Sequence, residues 1–205
     1  MLAASLQPTP LLLTENFMNR YLAVSVLLGT ALTSALAADS YTIDPGYSIA
    51  SFDIPRVAFS AQRGLFTKTK GRVLLDLAAK KGSVEFIIDT RSIDMGSAAW
   101  TAHLADDELF NVEKFPTMTF KSDKLIFEGS KVVAAEGQFT MIGVTKPLKV
   151  VVTNFQCGIS PVDKRSMCSG NVTANIKRSD FGLTKYIPVV SDEVAISVAV
   201  DAYKD

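Results

Sequence analysis

Alternation with a period of two dominates this sequence and restricts the folds open to it. Val73, Leu75 and Leu77 alternate with Arg72 and Asp76. Val84, Phe86 and Ile88 alternate with Ser83, Glu85 and Asp89. Met118, Phe120 and Ile126 share one parity, while Lys121 and Asp123 share the other. Val133, Phe139 and Met141 oppose Val132, Glu136 and Gln138. Val194, Ile196, Val198 and Val200 oppose Glu193, Ser197 and Asp201. Successive side chains of a strand point to opposite faces, so this is the pattern of half-buried strands. Residues 47–54, 57–67, 147–157 and 170–178 read as further strands. Turn signals separate the runs: Asp44-Pro45-Gly46, Lys81-Gly82, Glu128-Gly129-Ser130 and the segment from Gly143 to Pro147. The total is about eight or nine strands, mostly in hairpins. Strands without interleaved helices predict a mainly β, antiparallel barrel or sandwich. A barrel of about eight strands has an interior that side chains just fill, or that holds one small ligand.

One segment breaks the alternation. Residues 98–109, "AAWTAHLADDEL", place Trp100, Leu104 and Leu109 off strand parity, and Ala and Leu favour helix. Ser97 is the expected N-cap. The segment contains the single His and the single Trp of the chain.

The first 37 residues read differently from the rest. From Met18 the chain runs "MNRYLAVSVLLGTALTSALAADS", with a basic start at Arg20 and an apolar run to about Leu32. Ala35-Leu36-Ala37 then supplies an A-x-A cleavage pattern, which completes a secretory signal peptide. The apolar run is too short for a membrane span. Residues 18–37 are therefore expected to be removed on export, and residues 1–17 read as an extension from a mis-assigned start. Residues 38–205 form one domain. The whole chain carries 21 cationic and 21 anionic side chains. Residues 1–37 contain only Arg20 and Glu15, so the exported part stays at zero formal charge. It has no basic tract, which argues against a nucleic-acid partner. Both cysteines lie in "CGISPVDKRSMC", Cys157 and Cys168, across a turn-rich segment. In an oxidising compartment they are expected to pair, contributing about 3 kcal/mol in the chain-entropy model.

Residues for chemistry are few. One His cannot build a His-based metal centre. No G-x-S-x-G elbow, G-x-G-x-x-G or P-loop is present. His103 is followed by Asp106, Asp107 and Glu108, which most simply form a solvated helix end. Arg178 and Asp180 of "RSDFG" read either as a buried pair or as a polar clamp at a barrel mouth.

An ordered set of motifs resembles the YceI-like family, the bacterial lipocalin-like polyisoprenoid-binding proteins. The motifs are "YTIDPGYSIASFDI", "GLFTKTKGRVLLD", "RSIDMG", "HLADDELFNVEKFPTMTFKS", "GQFTMIGVTKPLKV", "IKRSDFG" and "VSDEVAISVAVDA". They cover Ser40 to Lys204. Each is weak alone; the order is specific. The Cys157–Cys168 pair resembles one carried by a subset of the family. The resemblance implies an extended antiparallel, lipocalin-like β-barrel of about eight strands with one main α-helix beside or across one end.

The same resemblance implies a periplasmic carrier holding an isoprenoid lipid, of polyprenyl or isoprenoid quinone type, in an apolar channel. On this reading no cofactor is required beyond the bound lipid or quinone, the protein is not an enzyme, and a homodimer is a family expectation. Phe59, Phe66, Met118, Phe120, Phe139 and Met141 are the expected wall, with Trp100, Phe110, Phe115 and Phe181 closing or lining an end. The same residues also suit a plain packed core. The family often carries His at the positions of Tyr47 and Arg56. Tyr47, Arg56 and Arg178 thus stand as head-group candidates without an imidazole. Burying a five-carbon isoprene unit yields about 3–4 kcal/mol gross, much of it offset by ordering the tail. Two other functions remain open: an enzyme acting on an isoprenoid amphiphile, and an exported interaction protein with a filled barrel.

Overall fold

The structure is a computed structural model, and it describes residues 38–205. The expected extension and signal peptide lie outside the described residues. Eleven strands occur in chain order. The first five are β1 (Asp39–Ile43), β2 (Ala50–Arg56), β3 (Phe59–Phe66), β4 (Thr69–Asp76) and β5 (Lys81–Asp89). The two-residue β6 (Ile93–Asp94) and the helix α1 (Ala98–Ala105) follow. The last five are β7 (Thr117–Glu128), β8 (Lys131–Met141), β9 (Val144–Ile159), β10 (Ser166–Lys177) and β11 (Glu193–Lys204).

All the pairings are antiparallel, and they close. β1 pairs β4 on one side and β11 on the other. Several strands are halves of one stave. β1 and β2 both lie along β11, with Ile43 opposite Ala202 and Ala50 opposite Val198. β3 and β4 lie along that same broken stave, and β6 continues β5 beyond the 3₁₀ turn Thr90–Ser92. The result is a closed meander of eight staves, the first three interrupted. The sequence reading of eight or nine strands counted two of these halves, residues 47–54 and 57–67, as separate strands.

The interruption between β1 and β2 is chemically built. The Asp44 carboxylate accepts from the Gly46 and Tyr47 amides at 2.6 and 3.3 Å. Such an Asx turn bends the chain out of the ladder. Ser48 then returns it: fully buried, it receives the Asp201 amide on Oγ at 3.1 Å, and its carbonyl accepts from the Thr69 hydroxyl. One serine therefore ties the break to β11 and β4 and leaves no orphan polar group.

Strand parity matches the sequence reading in β4, β5 and β11, where Leu75, Phe86, Ile88, Val194 and Val198 are buried. It fails in β7 and β8. The β7–β8 ladder has irregularities between Lys121 and Lys124 and between Ile126 and Phe127. A bulge inserts a residue and shifts the phase of everything after it. Leu125 and Phe127 consequently pack on the core, and Ile126 does not. On β8, Val133 is the skipped residue and Val132 is buried instead.

The helix is shorter than the sequence predicts, ending at Ala105 rather than Leu109. Asp106 is extended, and the amides of Phe110 and Val112 take the carbonyls of Leu104 and Ala105 at 3.0 and 3.2 Å. The chain thus satisfies the helix end with a turn. Ser97 occupies the N-cap position with extended backbone, but its hydroxyl makes no cap bond. The disulfide Cys157–Cys168 forms between directly opposed residues of β9 and β10.

Gly137 sits opposite the first bulge. A Cβ there would lie 2.2 Å from the Lys121 carbonyl oxygen and 2.8 Å from the Ser122 Cβ. Backbone cannot yield as a side chain does. Gly137→Ala is expected to lower unfolding stability by about 1–3 kcal/mol, the usual cost of overpacking. A urea midpoint equal to the wild type's would show that the bulge relaxes freely.

Candidate functional site

The barrel is hollow. An inner cavity of about 160 Å³ is walled by aliphatic and aromatic side chains of the β1, β4 and β5 halves and of β7–β11. Ile43, Leu75, Leu125 and Phe155 are typical, and Ser169 and Thr173 are the only hydroxyl residues on its wall among the described residues. An outer cavity of about 420 Å³ lies between β2, β3, α1 and the segment after β10. Ile88, Phe139 and Ile196 line both and form the waist between them.

Polarity is segregated. Arg56, Gln62, His103, Arg178, Lys185 and Tyr186 all line the outer chamber and none lines the inner one. No carboxylate lines either chamber among the described residues. The His103 Nε2 and the Tyr186 hydroxyl are hydrogen-bonded at 3.1 Å. Lys185 pairs with Glu108, and Arg56 donates its Nε–H to the Ser60 carbonyl at 3.0 Å while lying over the Phe59 ring. No cluster of His, Cys, Asp or Glu suited to a metal ion occurs among the described residues.

Most residues singled out in the sequence lie on this wall. Phe66, Phe110, Met118 and Met141 line the outer chamber, Phe120 the inner one and Phe139 both. Phe66 and Phe110 meet edge to face at 5.6 Å. Phe59 and Trp100 also line the outer chamber, but from its rim, at 69% and 47% exposure. Three residues are placed elsewhere. Phe115 lines neither chamber; its ring packs where a Gly143 Cβ would be, at 2.9 Å. Phe181 also lines neither. It sits on the 3₁₀ turn Arg178–Phe181 and braces Phe139 edge-on at 5.6 Å. Tyr47 is 65% exposed in the break between β1 and β2, away from both chambers, because the Asx turn directs it outward.

The sequence reading missed Phe52, Phe155, Lys185 and Tyr186 as wall residues. Phe52 had a signal in the alternation of its own strand. Phe155 had none, because it lies within an irregularity of the β9–β10 ladder, between Thr153 and Gln156. Lys185 and Tyr186 stand in an irregular segment with no period to read.

A model of the YceI-like domain matches residues 41–202. The UPF0312 protein of Shewanella denitrificans is 28% identical over 194 residues, covering 93% of this chain and 98% of its own. A UPF0312 protein of Vibrio vulnificus is 30% identical over 145 residues, covering 68% and 76%. The crystal structure of BcnA from Burkholderia cenocepacia superposes with a TM-score of 0.65 at 25% identity, covering 78% of this chain and 98% of that one. A polyisoprenoid binding domain from Saccharophagus degradans shares the fold, with a TM-score of 0.59, 15% identity and coverage of 80% and 98%. The chain belongs to the YceI-like family.

Arg178 has a structural task in this YceI-like barrel that the sequence did not suggest. It is 6% exposed and does not pair with Asp180. Its guanidinium donates to the carbonyls of Ser191, Leu183, Lys185 and Val190, at 2.7–3.0 Å. Burial lowers its pKa, and the Asp192 charge partly offsets that. Asp192 is held below the usual carboxylate range by the Ser179 hydroxyl and amide, at 2.7 and 2.8 Å. Arg178 thus folds residues 183–191 over the outer chamber, with four of its five N–H donors on main-chain carbonyls. Only a planar guanidinium with five N–H donors serves four carbonyls at once. Arg178→Lys is expected to destabilise the protein by about 2–4 kcal/mol, since each carbonyl left unpaired costs about 1–3 kcal/mol where buried. Hydrogen exchange should rise first in the amides of 183–191. Unchanged protection there would remove the clamp assignment.

Proposed function

We propose that this protein is an exported carrier that holds a long-chain isoprenoid lipid, of polyprenyl or isoprenoid quinone type, with its tail in the inner chamber and its head at the outer one. The observation that carries this reading is the polarity gradient along one continuous wall. A tail needs apolar surface without directional contacts, and the inner chamber offers that. A head group needs hydrogen-bond donors beside water; the outer chamber has charged and aromatic ones, whereas the inner has the Ser169 and Thr173 hydroxyls alone among the described residues. Family membership agrees, and the Saccharophagus degradans domain described as polyisoprenoid binding has the same barrel. Export is supported by the signal-peptide pattern of residues 18–37 and by the disulfide. No helix among the described residues is long and apolar enough to cross a membrane.

An enzyme acting on the same amphiphile is a second reading, favoured by the His103–Tyr186 hydrogen bond at the rim. It lacks an acid–base partner for that pair, because no carboxylate lines the chamber among the described residues. A chemically changed lipid recovered after incubation would decide for it.

Because the tail gains about 0.8 kcal/mol per buried CH₂ while the head meets few fixed groups, tail length should govern affinity. Ala135 lines the inner chamber and is 3% exposed. Ala135→Leu should fill that end and shift the preference toward shorter tails by about tenfold or more in relative affinity. Mass spectrometry of lipid extracted from protein purified from its native periplasm, followed by competition between prenyl chains of graded length, reads this directly. Protein that carries no lipid and binds neither quinones nor prenyl phosphates would end the carrier reading.

Trp100, on the rim of the outer chamber, is the only tryptophan. Ligand entry should remove water from it and shift its emission to shorter wavelength. Saturation with a bound lipid and no spectral change would place the head group away from α1.

A further inference from the structure

The opening of the outer chamber carries a surface that the carrier reading does not use. The exposed large hydrophobics that also line a cavity are Phe59, Trp100, Tyr186 and Val189, and all four line the outer chamber. Val57 and Ile187 are exposed beside them. The segments are locked together: the Val57 amide donates to the Val189 carbonyl at 3.0 Å, and Arg56 bridges to Val190. The β2–β3 turn, α1 and the 186–190 segment therefore present one apolar edge around one opening. Val57, Phe59 and Val189 are each at least 60% exposed. The other exposed large hydrophobics, such as Tyr47, Leu74 and Val162, line neither chamber.

We propose that this rim is a membrane-docking surface whose partner is an anionic lipid bilayer. Three observations select that partner. The rim encloses the mouth of an apolar cavity, so inserting it gives a tail a path that never meets water. Its aromatic residues, Trp100 and Tyr186, combine an apolar ring with a polar group, as residues at membrane interfaces do. Of the charged residues, Arg56 and Lys185 line the opening and no carboxylate does, among the described residues, while Asp106 and Asp107 are exposed just past α1 and off the lining. Glu108, off the lining, offsets Lys185, and Asp53 is occupied by Arg63. Arg56 makes no ion pair among the described residues and sits beside Val57 at the tip, where it would meet lipid phosphates. Exposed apolar side chains beside a cation are the composition of interfacial binding. The proposal takes its purpose from the carrier reading, but docking is measured without any bound ligand, so each can fail alone.

The test is flotation with vesicles of phosphatidylethanolamine and phosphatidylglycerol. It uses the full chain and the same chain carrying Val57→Ser, Phe59→Ser and Val189→Ser. Any contribution from residues outside the barrel is then common to both. The wild type should float with these vesicles, and the triple variant should bind roughly tenfold more weakly or worse. Val151→Ser, at an exposed apolar position that lines neither chamber, should float as the wild type does. Arg56→Gln should weaken binding to these vesicles and leave binding to phosphatidylcholine vesicles unchanged. Near-ultraviolet circular dichroism confirms that each variant is folded. Equal flotation of wild type and triple variant would overturn the proposal. So would a wild type that stays in the aqueous fraction. A wild-type dimer that the triple variant converts to monomer, with no flotation, would assign the rim to a second copy of the chain and overturn it as well.

Discussion

Everything in this molecule depends on the hydrogen bonds that join the first stave to the last. Tyr41, Thr42 and Ile43 of β1 pair with Lys204, Tyr203 and Ala202 of β11, while the other edge of β1 pairs with β4. An open sheet of this size would leave two unpaired edges and one apolar face against water. Closure removes the edges and turns the apolar face inward. With eight staves the enclosed space is wide enough for one slender ligand and too narrow for a water-filled channel. Stability and cavity therefore share one cause. Ile43, at 1% exposure, and Ala202, at 3%, lie at the seam and also line the inner chamber.

The division into two chambers follows from where the staves are interrupted. β1, β4 and β5 line the inner chamber, whereas β2 and β3, with Met95 just after β6, line the outer one. The Asx turn at Asp44, the Thr67–Lys68 link and the 3₁₀ turn at Thr90–Ser92 thus fall at one level of the barrel. The breaks are held by polar contacts. Ser48 bonds to β11 and β4, and the Ser92 hydroxyl accepts from the Lys68 amide at 3.0 Å and donates to the Asp89 carbonyl at 2.6 Å. Small hydroxyl residues allow the ladder to be left and rejoined without unpaired main chain. Above that level the wall is completed by α1 and by the 183–191 segment rather than by sheet alone. Polar side chains can enter there, because loops and helix ends bring donors that strands keep on their outer face.

How much of this was legible in the sequence depends on whether a signal is local. Period-two alternation marked nearly every stave, and the turn residues marked the hairpins. The wall residues Phe66, Phe120, Phe139 and Met141 were readable because each sits in an undisturbed stretch of ladder. Ile126 and Val133 were misread because bulges reset parity, and a bulge is a property of two strands, not one. Gly137 was the nearest thing to a signal, being a residue without a Cβ opposite the extra one. Phe115 and Phe181 were placed with the wall because they are aromatic. Their positions depend on neighbours distant in the chain, Gly143 and Phe139. Arg178 shows the same limit most plainly. Its motif announced a constrained turn, but the four carbonyls of residues 183–191 that accept from it are invisible until the chain is folded.

The clamp at Arg178 also bears on what the barrel can recognise. A buried guanidinium with unspent donors would be a strong, directional site for an anionic head group, and would select one chemistry. Here four of the five donors are taken up in shaping the loop. The other polar groups at the outer chamber are Arg56, Gln62, Lys185, which pairs with Glu108, and the His103–Tyr186 pair. Contacts in water contribute little free energy each. On the proposed carrier reading, discrimination then falls to the apolar side, where Ile88, Phe139 and Ile196 stand on the walls of both chambers. Under the carrier proposal, a barrel arranged this way would measure the length and thickness of a tail and be permissive about the head. Within that proposal, one internal arginine turned mostly to backbone fits a carrier of a class of lipids better than a receptor for a single one.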